Sequence, residues 1–249
     1  MAVRWVTAFL DLPSQLAGPA TEFWLAVTGY SLSPRRGKRQ EFATLVPAAG
    51  DAFLRMQTVW DGPGGCHLDL HVDDPDTGAM HALACGASIT HAEDGLVVLR
   101  SPGGLSWCLV RHHGESARPA PVLWPDGGRS LVDQVCLDIP PSRYDAECAF
   151  WSELTGWPRR HGSRPEFDYL ARPDGIPIRL LLQRLDTEAP ATRAHLDLAC
   201  DDVPAEVRRH LALGASFIRE TPGWTTLRDP AGTSYCITTR DPATGTLPT

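Results

Sequence analysis

The second half of this chain repeats the first, and a tandem repeat restricts the fold more than any other feature a sequence can carry. His67-Leu68-Asp69-Leu70 returns 128 residues later as His195-Leu196-Asp197-Leu198. The flanking landmarks keep their order: Phe23-Trp24 with Phe150-Trp151, Thr28-Gly29 with Thr155-Gly156, Glu41-Phe42 with Glu166-Phe167, and Gln57 with Gln183. Beyond the histidines, Gly86-Ala87 matches Gly214-Ala215, and Leu99-Arg100-Ser101-Pro102 matches Leu227-Arg228-Asp229-Pro230. Function is therefore sought in what the copies share and in where they differ.

The repeat divides the 249 residues into two domains of ordinary size, 1–113 and 130–240. Between them, 114–129 is rich in Pro and Gly and reads as a linker with Trp124 pinning it, and 241–249 reads as a flexible tail. A net charge of −7 argues against nucleic acid and anionic membrane as partners. The basic stretches Arg35-Arg36-Gly37-Lys38-Arg39 and Arg159-Arg160 lack interleaved aromatics and read as solvated loops. Seven cysteines without a close pair indicate a reducing, cytoplasmic setting, and no apolar run approaches the roughly 20 residues of a membrane span.

Each copy opens with strict alternation, Val6, Ala8, Leu10 and Leu12 in the first and Val135, Leu137 and Ile139 in the second, which predicts half-buried strands. A helix follows in both, with Pro19 at a first-turn position, Ser142 as a cap, and Gly29 and Gly156 as stops. Short strands are expected around 42–46 and 53–59, and around 167–171 and 178–185. The pattern then restarts at His67 and at His195, with helices over 75–85 and 204–213 and three strands after each. The fold class is thus α+β: every copy is a pair of βαβββ modules whose mixed sheet forms a cup with helices outside.

Residues i and i+2 of a strand point the same way, so His67 and Asp69 face opposite Leu68 and Leu70, and His195 and Asp197 face opposite Leu196 and Leu198. With the leucines packed on helices, both His/Asp pairs point into a cup. A pseudo-twofold axis between modules would set Gln134 against His195 and Thr7 against His67. Gln57 and Gln183 fall on strands lining the same cups and read as polar anchors for a ligand, and Trp224 is placed to roof the second one. His112 and His113 fall beside the linker and read as solvated.

Taken together, the Phe-Trp helix ending in Thr-Gly, the segments His67–Asp74 and His195–Asp202, and the closing Asp229-Pro-Ala-Gly-Thr-Ser-Tyr-Cys236 resemble the vicinal oxygen chelate superfamily, specifically tandem glyoxalase-like proteins. The resemblance implies metal-ligand positions near Thr7, Arg55, His67 and Cys108 in the first copy and near Gln134, Leu181, His195 and Cys236 in the second. A cysteine replaces the closing-strand glutamate in both copies. A divalent metal at Gln134, His195 and Cys236 is chemically allowed, with a metal-free cup as the expectation. Asp197, some 6 to 7 Å along the strand from His195, reads as a deeper hydrogen-bonding group.

The expected function is that of an enzyme of lyase or isomerase type on a small carbonyl- or hydroxyl-bearing metabolite. His195 would be the acid/base and Asp197 its partner, with His67 and Asp69 as their counterparts and Gln134, Gln183, Gln57 and Trp224 as ligand contacts. The alternative is a non-catalytic protein that binds or sequesters a small molecule or antibiotic. Self-association to a homodimer is compatible with either.

Overall fold

The structure, a computed structural model, describes residues 1–247. In the first copy, module one comprises β1 (Trp5–Pro13), α1 (Ala17–Thr28), β2 (Ser31–Leu32), β3 (Phe42–Val46) and β4 (Leu54–Val59). Module two comprises β5 (Gly65–Val72), α2 (Pro75–Ala84), β6 (Ser88–Glu93), β7 (Leu96–Arg100) and β8 (Ser106–Arg111). The linker holds β9 (Val122–Leu123). In the second copy, β10 (Arg129–Ile139), α3 (Tyr144–Thr155), β11 (Arg159–His161), β12 (Phe167–Leu170) and β13 (Arg179–Arg184) precede β14 (Arg193–Cys200), α4 (Val203–Ala212), β15 (Ser216–Thr221), β16 (Trp224–Arg228) and β17 (Ser234–Thr238). This is βαβββ four times over.

The strand orders are β2-β3-β4-β1-β5-β8-β7-β6 and β11-β12-β13-β10-β14-β17-β16-β15, the same path element for element, with β9 added beside β10. Both sheets are mixed. β5 runs parallel to β8 with Asp69 opposite Cys108, and β14 parallel to β17 with Asp197 opposite Cys236. That shared register sets the same pair of side chains together in each copy.

Local chemistry explains the helix boundaries. Asp74 and Asp202 cap α2 and α4, their carboxylates accepting from the backbone N–H of Asp76 and Ala205, with proline in the first turn of each. Such caps contribute about 1 kcal/mol apiece. Gly29 and Gly156 end α1 and α3 in the left-handed region at φ 67° and 69°. Ser142 does not cap α3: it lies in a 3-10 turn, Pro141–Arg143, and its hydroxyl donates to Glu188 instead. Pro19 sits third in α1, after Ala17 and Gly18, where its missing N–H is still harmless. No helix among the described residues is long and apolar enough to cross a membrane.

Packing does not follow the copies. One compact unit contains Met1–Phe9, Cys66–Ala117 and Val135–Ala194, and the other contains Leu10–Gly65, Arg118–Gln134 and His195–Thr249, so each takes one helical module from each copy. In the first unit α2 and α3 cover a core in which Trp107 meets Trp151 edge-on, ring centroids 5.4 Å apart. Glu147, fully buried, accepts from the Ser101 hydroxyl (2.6 Å), the Trp151 indole (2.9 Å) and the Gly103 N–H (2.5 Å). In the second unit α1 and α4 cover Trp24 and Tyr235, with centroids 5.2 Å apart. Here the Trp24 indole donates to Asp229 (2.9 Å). Burying rings of this size contributes about 1.5–3 kcal/mol each.

The second unit also ties its helices together ionically. Arg209 of α4 donates to the carbonyls of Ala26 and Val27 at the end of α1, pairs with Glu206, and lays its guanidinium 3.7 Å over the Trp124 ring. Trp124 in turn donates to the Ser130 hydroxyl, which fixes the linker as expected. His210 is fully buried between Tyr235 and Glu206. Residues 241–246, read as part of a flexible end, close a turn in which the Asp241 carboxylate accepts from Ala243 and Thr244 and the Ala243 carbonyl accepts from Arg118. Pro248 and Thr249 lie outside the described residues.

Candidate active site

In β14 the alternation holds: Leu196 and Leu198 are buried on one face, and His195 and Asp197 share the other. The side chains converge more than their backbone spacing suggests. His195 Nε2 lies 3.3 Å from Asp197 Oδ1 and 3.6 Å from Cys236 Sγ, and the three donor atoms lie within 4.8 Å of one another. Cys236 also meets the Thr226 hydroxyl at 3.5 Å. The group is nearly enclosed, the side chains of His195 and Asp197 being 13% and 4% exposed.

Gln134, which the twofold argument set against His195, reaches this cluster. Its amide N–H donates to Asp197 Oδ2, two residues along the strand from His195. The Thr7 hydroxyl is 2.9 Å from His71 Nε2, and the Arg4 N–H donates to the His71 carbonyl. The place beside His67 is taken by Phe9, whose ring stacks on the imidazole at 4.6 Å and 9°. Asp197, read as a hydrogen-bonding group and partner of His195, accepts from Gln134 and lies 3.3 Å from the imidazole. Two residues on one strand face are separated at Cα, but their rotamers lean together at the tips.

With Gln134 anchoring Oδ2, the other oxygen of Asp197 is buried with no hydrogen-bond partner among the described residues. A buried carboxylate oxygen left without a donor is costly. A cation between imidazole, carboxylate and thiol would satisfy it, so the residues present fit a divalent metal, with Asp197 as a donor beside His195 and Cys236.

The first copy repeats the trio with His67, Asp69 and Cys108, again within 4.8 Å, and His67 Nε2 is 3.6 Å from Asp69 Oδ1. Beyond it lies a cluster that the sequence reading passed over. His71 is 1% exposed and 3.5 Å from the Glu115 carboxylate, and His112, expected in solvent, is 3.5 Å from the same carboxylate and 2.9 Å from the Glu115 carbonyl oxygen. The signal for His71 was present, since it continues the face of His67 and Asp69 at i+4; its counterpart is Ala199. Glu115 has its carboxyl held below the usual range: burial pushes upward and is outweighed by backbone N–H groups and the two imidazoles.

The glutamines lie on corresponding strands. Gln57 is cross-strand from Phe42 and Gln183 from Phe167, so the duplication preserves a Phe/Gln pair. Gln183 Oε1 is 3.4 Å from the Cys136 thiol. The next row differs: Thr44 faces Arg55 in the first copy, and Tyr169 faces Leu181 in the second. Trp224 opens β16, half-buried, opposite Thr238 on one side and Thr221 on the other.

The glyoxalase-like domain profile matches this chain twice, over residues 8–110 and 134–238. The chain belongs to the glyoxalase-like domain family. No curated protein matches it in sequence. Among solved structures, a triple mutant of 4-hydroxymandelate synthase from Streptomyces coelicolor superposes with a TM-score of 0.66 at 16% identity, covering 99% of this chain and 95% of that one. A Mn(II)-bound glyoxalase from Novosphingobium aromaticivorans gives 0.61 at 16% identity, covering 95% and 81%. An extradiol ring-cleaving dioxygenase from B. fuscum gives 0.61 at 12%, covering 96% and 72%. At these identities the glyoxalase-like chain shares with them a fold, a tandem arrangement of vicinal oxygen chelate type.

Proposed function

We propose that the protein is an enzyme of lyase or isomerase type acting on a small carbonyl- or hydroxyl-bearing metabolite at the His195–Asp197–Cys236 centre of the second copy. The observation that carries this reading is the convergence of His195, half-buried, with the buried Asp197 and Cys236 around a carboxylate oxygen that accepts no hydrogen bond among the described residues. These residues would hold a divalent cation, which supplies Lewis-acid polarisation of a substrate oxygen and stabilises the negative charge that develops on it. Gln134 fixes the Asp197 carboxylate through Oδ2, and Thr226 supports Cys236. His195, expected as the acid/base, has Nε2 directed between Asp197 and Cys236; that placement suits holding the cation.

The donor set also favours the reaction class. Non-haem iron oxygenases use two histidines and one carboxylate with open positions. Here there is one histidine, one carboxylate and one thiol, a combination suited to a redox-inactive ion and hence to proton transfer rather than oxygen insertion. In the first copy, Phe9 covers one face of the His67 imidazole, which supports the second copy as the working one.

The test is exchange of solvent deuterium into the carbon next to the carbonyl, followed by NMR over a panel of 2-oxo and 2-hydroxy metabolites with metal-loaded protein. Exchange that is lost in His195→Ala and Asp197→Ala but kept in His67→Ala is the expected result. Oxygen consumption with ring or chain cleavage would replace this reading with a dioxygenase, and tight binding of unchanged compound would replace it with sequestration.

A further inference from the structure

We propose that Cys236 makes the centre a thiolate-bearing tetrahedral site that selects zinc or cobalt(II) over manganese and magnesium. The inference deepens the reading above, sharing its residues, and it is tested without substrate so that either can fail alone.

The argument is geometric first. A tetrahedral zinc ion bonded to nitrogen and oxygen at about 2.0–2.1 Å and to sulfur at about 2.3 Å holds nitrogen and oxygen about 3.3 Å apart and nitrogen and sulfur about 3.6 Å apart. His195 Nε2 is 3.3 Å from Asp197 Oδ1 and 3.6 Å from Cys236 Sγ. The two edges that meet at His195 thus already match those of a tetrahedron, and the third, from Asp197 to Cys236, lies within 4.8 Å. Asp197 can supply only Oδ1, since Oδ2 is taken by the Gln134 amide, so coordination is monodentate and the ligand number stays low.

Chemistry and enclosure point the same way. Thiolates favour zinc and other soft or borderline ions, whereas magnesium and manganese prefer oxygen. Magnesium in addition demands octahedral geometry and retains several waters. Asp197 is 3% and Cys236 7% exposed, which leaves little room for such a hydration shell. Gln134 acts as a positioning residue that orients the carboxylate, a role whose loss typically lowers metal affinity about 10- to 100-fold.

The experiment is anaerobic titration of the metal-stripped full chain with Co2+, read by absorption, beside competitive titrations of Zn2+ and Mn2+. A near-ultraviolet sulfur-to-cobalt charge-transfer band with the intense visible bands of tetrahedral cobalt is expected. It persists in Cys85→Ser, which removes the separate thiol–imidazole pair of Cys85 with His81 (3.8 Å), and falls by about half or more in Cys236→Ser. In Cys236→Asp the ratio of zinc to manganese affinity drops at least about tenfold, and in Gln134→Leu zinc affinity falls about 10- to 100-fold with the band retained. Absence of the band in the wild type overturns the proposal with no variant needed. A band unchanged in Cys236→Ser, or an unchanged zinc-to-manganese ratio in Cys236→Asp, overturns it equally.

Discussion

The two compact units satisfy the same buried indole in opposite ways, and exchanging their solutions is a stringent test of the packing. In the second unit Asp229 supplies the carboxylate: Oδ2 accepts from Trp24, and Oδ1 accepts from the N–H groups of Ala231 and Thr233 at 2.9 Å each. In the first unit the position of Asp229 is held by Ser101, and the carboxylate comes instead from Glu147, one helical turn before Trp151. The helix counterpart of Glu147 is Ala20, and the turn counterpart of Ala231 is Gly103. Gly103 is no accident: a Cβ there would lie 2.6 Å from Glu147 Oε2.

Asp229→Ser leaves the fully buried Trp24 indole without its acceptor, a cost of about 1–3 kcal/mol. Burial raises the Asp229 carboxyl above its usual range, so removing a poorly solvated charge returns part of that, and a net loss of about 2 kcal/mol is expected. Ala20→Glu alone places a second carboxylate against the first and costs about 3 kcal/mol or more. The triple variant Ala20→Glu, Asp229→Ser, Ala231→Gly rebuilds the arrangement around Trp151 and recovers at least about 1 kcal/mol over Asp229→Ser. Urea denaturation followed by tryptophan fluorescence measures all three. A triple variant no more stable than Asp229→Ser, or a harmless Ala20→Glu, would refute the reasoning.

Acid stability isolates Glu206. Burial opposes its ionisation but is outweighed by His210 and Arg209, which hold the carboxyl at about 2, so its contribution is complete above the ordinary carboxylate range and disappears as pH falls through about 2. Glu206→Gln is expected to flatten the fall in stability over that window by about 3 kcal/mol. The glycines ending the first helix of each copy separate strain from crowding: Gly156→Ala meets nothing within 4 Å, whereas a Cβ at Gly29 lies 3.3 Å from Trp124 and Val122. Both pay about 1 kcal/mol for the left-handed backbone, and thermal melts place Gly29→Ala lower; equal melting temperatures would contradict the packing of Trp124. Arg209→Met keeps much of the stem but loses two carbonyl contacts, the Glu206 pair and the stack on Trp124, and hydrogen exchange is expected to rise first at the end of α1 and in the linker.

Much of the architecture was legible because it rests on local rules. Alternation marked the opening strands, Gly29 and Gly156 marked helix ends, and Phe42–Val46 and Ser234–Thr238 coincide with the expected strands. The repeat placed His195 and Cys236 in corresponding positions without any knowledge of distance. What escaped depends on partners far away in sequence. Apolar periodicity shows that Trp24 is buried but not that Asp229, 205 residues on, accepts its hydrogen bond. Pseudo-symmetry predicts which strands are neighbours but not the step along them, so Gln134 met Asp197 and Thr7 met His71. Ser142 offered a cap on composition alone, and Glu188 competed for it successfully.

Because each compact unit draws a module from either copy, neither half of the chain contains a finished core. A polypeptide stopped before residue 118 would leave Trp107 without Trp151 and Trp24 without Tyr235, both large aromatic faces with nothing to meet. Two halves supplied as separate chains are expected to complement one another, with 114–129 acting as the tether that makes this assembly intramolecular. The copies differ at corresponding positions beside their histidines, Phe9 against Cys136 and Thr7 against Gln134.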